Sequence, residues 1–128
     1  MTYTLDRTFP GADFAETVAR TRAALQAEGF GIPVEMDTQA IFQAKLGKAS
    51  EPRIILGACL PAVAFEALAT EPRIAALLPC NVTVHATGEG VTVSAVDPEV
   101  LFKLTSKVDP AHATAVKARL QAALERLG

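Results

Sequence analysis

Arg53-Ile54-Ile55-Leu56-Gly57-Ala58-Cys59-Leu60-Pro61 is the stretch on which the fold turns. The run up to Cys59 is apolar, rich in β-branched residues and without polar alternation, which predicts an interior strand covered on both faces. Ile55 is then a core residue, and an Ile55→Asp charge, having no partner there, is expected to unfold the domain. Pro61 suits the first turn of a helix, so the strand is predicted to close at Cys59 and a helix to run from Pro61 to Leu68. A second apolar phrase, Leu77-Leu78-Pro79-Cys80-Asn81-Val82, ends a further helical stretch that starts at Pro72, and Cys80 there opens the next strand.

Working outward, Tyr3 to Phe9 alternates weakly and reads as a first strand. Asp13-Phe14-Ala15-Glu16 has the form of a capping box, with Phe14, Val18, Thr21 and Leu25 on one helical stripe that ends at Gly29. Phe30 to Met36 reads as a strand, and Asp37 as the N-cap of a short helix that reaches Gly47. Beyond Cys80, Asn81 to Ala86 and Val91 to Val96 alternate around Thr87-Gly88-Glu89-Gly90, a hairpin. Val82, Val84, Val91, Val93 and Ala95 should face the helices, with Asn81, Thr83, His85, Thr87, Thr92 and Ser94 on the opposite side. Asp97-Pro98 and Asp109-Pro110 each start a helix, the second carrying Val116, Leu120, Leu124 and Leu127 on one stripe. The order β-α-β-α-β-α-β-β-α-α predicts an α+β fold, a single domain over residues 1–128. Its sheet is expected to be mixed, mainly antiparallel, and packed on one main face against helical residues that include Phe65 and Leu120.

At 128 residues, such a chain buries roughly 68–70 % of the surface it exposes unfolded, so it folds without a metal or disulfide. The net charge of −2, from 12 basic and 14 acidic side chains, argues against a nucleic-acid partner. The longest basic grouping spans only Lys103 to Lys107, and one Tyr with no Trp leaves little for base stacking. No apolar run reaches the ~20 residues of a membrane span, and the first residues lack the apolar stretch of a signal peptide. A cytoplasmic location without membrane association is expected, where two cysteines stay reduced.

Several phrases together resemble the bacterial and archaeal domain-of-unknown-function family 302. They are Gly29-Phe30-Gly31-Ile32, Lys45-Leu46-Gly47, Arg53 to Cys59 with Pro61, Leu77 to Val82, and Ser94-Ala95-Val96-Asp97-Pro98. The resemblance runs from about Phe14 to Phe102. It implies a small α+β fold with a TBP-like sheet and a tendency to form homodimers, and it brings no activity, substrate or cofactor. The family phrase usually has Asn after the first Cys, where this chain has Leu60; a contact made by that Asn is absent here.

The chemistry-bearing residues are few. Cys59 and Cys80, the only thiols, sit at strand–helix junctions where backbone N–H groups can lower a thiol pKa. They are too far apart in sequence for a C-x-x-C motif, and burial as small hydrophobes explains them equally well. If their strands run antiparallel, the two thiols lie at the same end of the sheet, within reach of each other but without a permanent disulfide. Zinc needs about four ligands, whereas Cys80 and His85 point to opposite faces of one strand. Glu35 is the acid placed to approach a pocket there, and Asn81 and His85 stand on the polar side of the hairpin. Cys59, Cys80, Asn81, Glu35 and His85 are therefore the candidate ligand-binding residues. No phosphate loop, G-x-S-x-G or H-E-x-x-H phrase is present, so neither catalytic residues nor a cofactor are specified. Three functions fit: a domain binding a small molecule or metal ion near the cysteines, a thiol-dependent enzyme or redox sensor, and a homodimeric interaction protein with structural cysteines. Apolar content of 50 % and a flat polar hairpin face favour a homodimer in any of them.

Overall fold

Local sequence sets the helix boundaries much as expected. In the computed structural model, which describes residues 2–128, strand β1 (Thr4–Pro10) leads into helix α1 (Phe14–Ala27), whose Glu16 N–H donates to Asp13 Oδ2 at 2.9 Å. Strand β2 (Gly31–Asp37) runs directly into α2 (Thr38–Leu46), where Asp37 Oδ1 accepts from the Ala40 N–H at 2.9 Å. Gly47 ends α2 in the left-handed conformation at φ 63°, which a residue without a Cβ adopts without strain. Strand β3 (Arg53–Cys59) is followed by α3 (Pro61–Thr70) and then by a 3-10 segment over Pro72–Leu77. Strands β4 (Cys80–Thr87) and β5 (Gly90–Val96) form the hairpin. A short α4 (Pro98–Leu101), a 3-10 turn (Phe102–Leu104) and α5 (Pro110–Glu125) complete the chain. Asp97 and Asp109 both cap as the Asp-Pro phrases predict, accepting from Glu99 and Ala111 N–H groups.

The five strands form one sheet in the order β1-β5-β4-β3-β2, with every neighbouring pair antiparallel. β3 is interior, as its sequence requires. The register opposes Ile54 to Val84, Leu56 to Val82 and Ala58 to Cys80, while Val82, Val84 and Ala86 oppose Ala95, Val93 and Val91. Because side chains alternate along a strand, these residues share one face, and most are fully buried beneath α1 and α5: Leu56, Val84 and Val93 are at 0 % exposure. A smaller cluster of Ala67, Ile74, Phe102, Val108 and Ala113 lies under α3, the turn after α4 and the start of α5.

Two core assignments are corrected. Ile55 falls on the opposite face, half-exposed and paired with Thr83 and Met36, so β3 is covered on one face and not on both. An unbroken apolar run has no internal mark of which alternate set faces inward; pairing with the valines of β4 decides it. Phe65 is 77 % exposed, whereas Leu120 is buried as expected. Helix α3 turns Val63, Ala64 and Ala67 inward, and its sequence is so evenly apolar that no stripe distinguishes the buried side.

Candidate functional site

The antiparallel pairing of β3 with β4 brings the two thiols to the same end of the sheet. Cys80 opposes Ala58, and Cys59, one residue further on, opposes Gly31 of β2. Both border one small apolar pocket, shared with Phe30, Leu60, Val63 and Phe102. Its volume is about 20 Å³, room for about one water molecule, and its lining offers that water almost no hydrogen-bonding partner. Cys80 is 5 % exposed. Burial pushes its thiol up to about 11, and the nearby Cys59 charge adds to the rise. Its burial and raised pKa disfavour a free thiolate at this position.

Gly57 and Pro79 explain how the chain enters this corner. A Cβ at Gly57 would lie 2.5 Å from Pro79 Cγ and 3.1 Å from Val34 Cβ, so only glycine lets the Leu78-Pro79 segment cross β3 at this distance. Pro79 thereby shields the one buried position on the open face of β3.

The other candidate residues lie elsewhere. Glu35 opposes Leu56 on β2 and pairs with Arg22 of α1, so its side chain turns to the helix side and does not line the cysteine pocket. Asn81 is exposed opposite Gly57. His85 sits toward the far end of β4 opposite Arg53, with Nε2 3.0 Å from Arg53 Nη2 and 3.4 Å from Glu51 Oε2. His85 Nε2 therefore sits between a guanidinium and a carboxylate. Among the described residues no group of three or more His, Cys, Asp or Glu side chains is placed to hold a metal ion. The five candidates thus separate into a cysteine corner with Asn81 at its open side, an ion pair on the helix side, and a polar cluster across the sheet.

The open face of the sheet is the larger feature. Thr8 and Thr92 bond across β1 and β5 at 3.1 Å, and Thr83 donates to the Ser94 carbonyl at 3.4 Å. Towards β2 the face becomes apolar through half-exposed Ile55, Met36 at 40 % and Val34 at 52 % exposure. Asp6 and Arg53 are its formally charged strand residues. The hairpin alternation revealed the polar half. Its apolar half was also written in the sequence, since Val34 and Met36 flank Glu35 in strict alternation, but the register with Ile55 was needed to join them.

The family model described as "Domain of unknown function DUF302" matches residues 5–127. The crystal structure of an uncharacterized conserved DUF302 protein from Bacillus stearothermophilus superposes with a TM-score of 0.85 at 25% sequence identity, covering 98% of each chain. No curated protein matches the sequence.

Proposed function

The chain belongs to the DUF302 family, and on that premise we propose that it is a homodimeric interaction protein whose open sheet face seats a second copy of the same chain. The observation that carries this reading is the composition of that face: hydroxyl residues on one half, Ile55, Met36 and Val34 on the other, and little charge. A solvated sheet face has no need to alternate apolar residues outward, and a β3 sequence apolar on both sides suits a strand whose second cover comes from a partner. Five strands of mostly seven residues span about 24 Å by 23 Å at ~4.8 Å between strands and ~3.3 Å per residue. That is about 550 Å² in projection, about two thirds of the ~800 Å² each partner contributes to a standard interface, and the corrugation of the face adds to it.

A ligand or redox role at the cysteines draws less support, because the pocket between them admits about one water and burial disfavours the Cys80 thiolate. In this reading the protein works in the cytoplasm, both thiols are reduced, and their role is packing. Among the described residues no helix is long and apolar enough to cross a membrane.

Sedimentation velocity over a concentration series tests the proposal, using wild type, Ile55→Lys and Thr92→Lys. Wild type should sediment as a dimer, and both variants as monomers with unchanged helical circular dichroism. A monomeric wild type at high micromolar concentration, or two variants that remain dimeric, would refute it.

A further inference from the structure

A large recess lies on the helical side, away from the open sheet face, and none of its lining residues belongs to a strand. It is a groove of about 400 Å³ between the turn after α4 and the first turns of α5, within the ~300–1,000 Å³ usual for small-molecule sites. Its floor is apolar: Phe102, Val108 and Ala113 are 7 %, 3 % and 4 % exposed and belong to the smaller core cluster.

The rim is rich in unused hydrogen-bond donors. Lys103 is exposed and, among the described residues, enters no ion pair, whereas neighbouring Lys107 is 3.6 Å from Glu71 and Lys117 is 3.0 Å from Asp97. The Thr105 hydroxyl accepts from the Lys107 N–H at 3.2 Å, which leaves its own proton free to donate. Ser106 is exposed on the same loop with its hydroxyl unengaged. The acid on the rim, Glu99, is partly neutralised by Lys117 Nζ at 3.7 Å. Thr114 donates to the Pro110 carbonyl and is occupied.

We propose that this groove binds a small amphipathic organic monoanion, a carboxylate with an aromatic or short alkyl body. The body lies on Phe102 and Val108. The carboxylate meets the Lys103 ammonium and the Thr105 and Ser106 hydroxyls at the rim. This gives a purpose to the free end of the basic grouping at Lys103 to Lys107, and it is independent of the dimer.

The test is a ¹⁵N chemical-shift titration of the full chain at low salt with 3-phenylpropionate, run beside its neutral amide, 3-phenylpropionamide. A ligand of this size is expected to bind with a Kd of roughly millimolar magnitude. Shifts should saturate and concentrate on residues 102–114. An exposed ion pair accounts for up to about fivefold in affinity, so the amide should bind more weakly by up to about fivefold, Lys103→Glu should lose at least as much, and Lys103→Arg should keep the affinity. Lys103 is exposed, so both variants should fold; Thr114→Trp, also at an exposed rim position, should block the groove. Any of four results overturns the proposal: no saturation, equal affinity for acid and amide, shifts centred outside the groove, or an unchanged Kd in Lys103→Glu.

Discussion

Leu56 and Ile55 are neighbours of almost equal size on one interior strand, yet they should respond very differently to truncation. Leu56 is 0 % exposed beneath α1 and α5, packed in the main cluster. Leu56→Ala removes three carbons, about 2.4 kcal/mol at ~0.8 kcal/mol each. The unfilled cavity adds to this, placing the loss at about 3–4 kcal/mol, inside the ~2.7–5.0 kcal/mol span of buried Leu→Ala changes. Against a total of about 5–15 kcal/mol for a domain of this kind, that moves a urea midpoint by about 1–3 M. Ile55 is half-exposed on the open face, and Ile55→Ala should cost the monomer about 1 kcal/mol or less. If the open face is the dimer interface, Ile55→Ala shows a further loss that vanishes on dilution, because association adds stability by mass action. The Leu56→Ala loss should be the same at every concentration. Equilibrium urea unfolding followed by circular dichroism at two protein concentrations decides the matter. Equal losses for the two variants, or a larger one for Ile55→Ala in the dilute monomer, would refute the face assignment and with it the register from which it follows.

Three further outcomes follow from individual residues. A disulfide reagent at neutral pH should modify half-exposed Cys59 well ahead of Cys80, and the Cys80 reaction should quicken steadily with pH until it levels off near about 11, or at once when the chain unfolds; prompt equal labelling of both would show the corner to be open. Gly57→Ala should destabilise by about 1–3 kcal/mol through overpacking against Pro79, and Gly57→Ala melting like wild type would remove that contact from the account. The Glu71 carboxyl is held below the usual 4.5 by the Arg73 side-chain hydrogen bond, against the opposing effect of burial and with help from the Arg73 N–H, the Arg73 charge and Lys107. Since the folded pKa is the lower one, this stabilisation is complete above 4.5 and fades as pH falls through the folded value. The stability gap between wild type and Glu71→Gln, measured by urea unfolding, should therefore narrow with acidification below pH 4.5, and a gap constant with pH would refute the assignment.

Bonds between near neighbours in the chain were legible without coordinates. Asp13, Asp37, Asp97 and Asp109 each cap within three residues of themselves, and the β4–β5 turn joins residues a few positions apart, so their spacing alone determines them. Alternation also oriented the hairpin correctly, because valine and threonine or serine differ enough in water for their periodicity to mark the inward face. What sequence left open was every choice between chemically similar sides: Ile55 against Leu56 on β3, Phe65 against Val63 and Ala67 on α3. It also left open whether Glu35, distant in the chain, would reach the cysteines or Arg22. Those choices have nearly equal local free energies and are decided by long-range pairing. The register of β3 with β4 turns Leu56 inward and sets Cys80 beside Ala58, and the pleat of β2 turns Glu35 to α1 and Met36 outward. The open sheet face emerges only when those registers are combined, since its residues come from five strands and no single segment of the chain contains it.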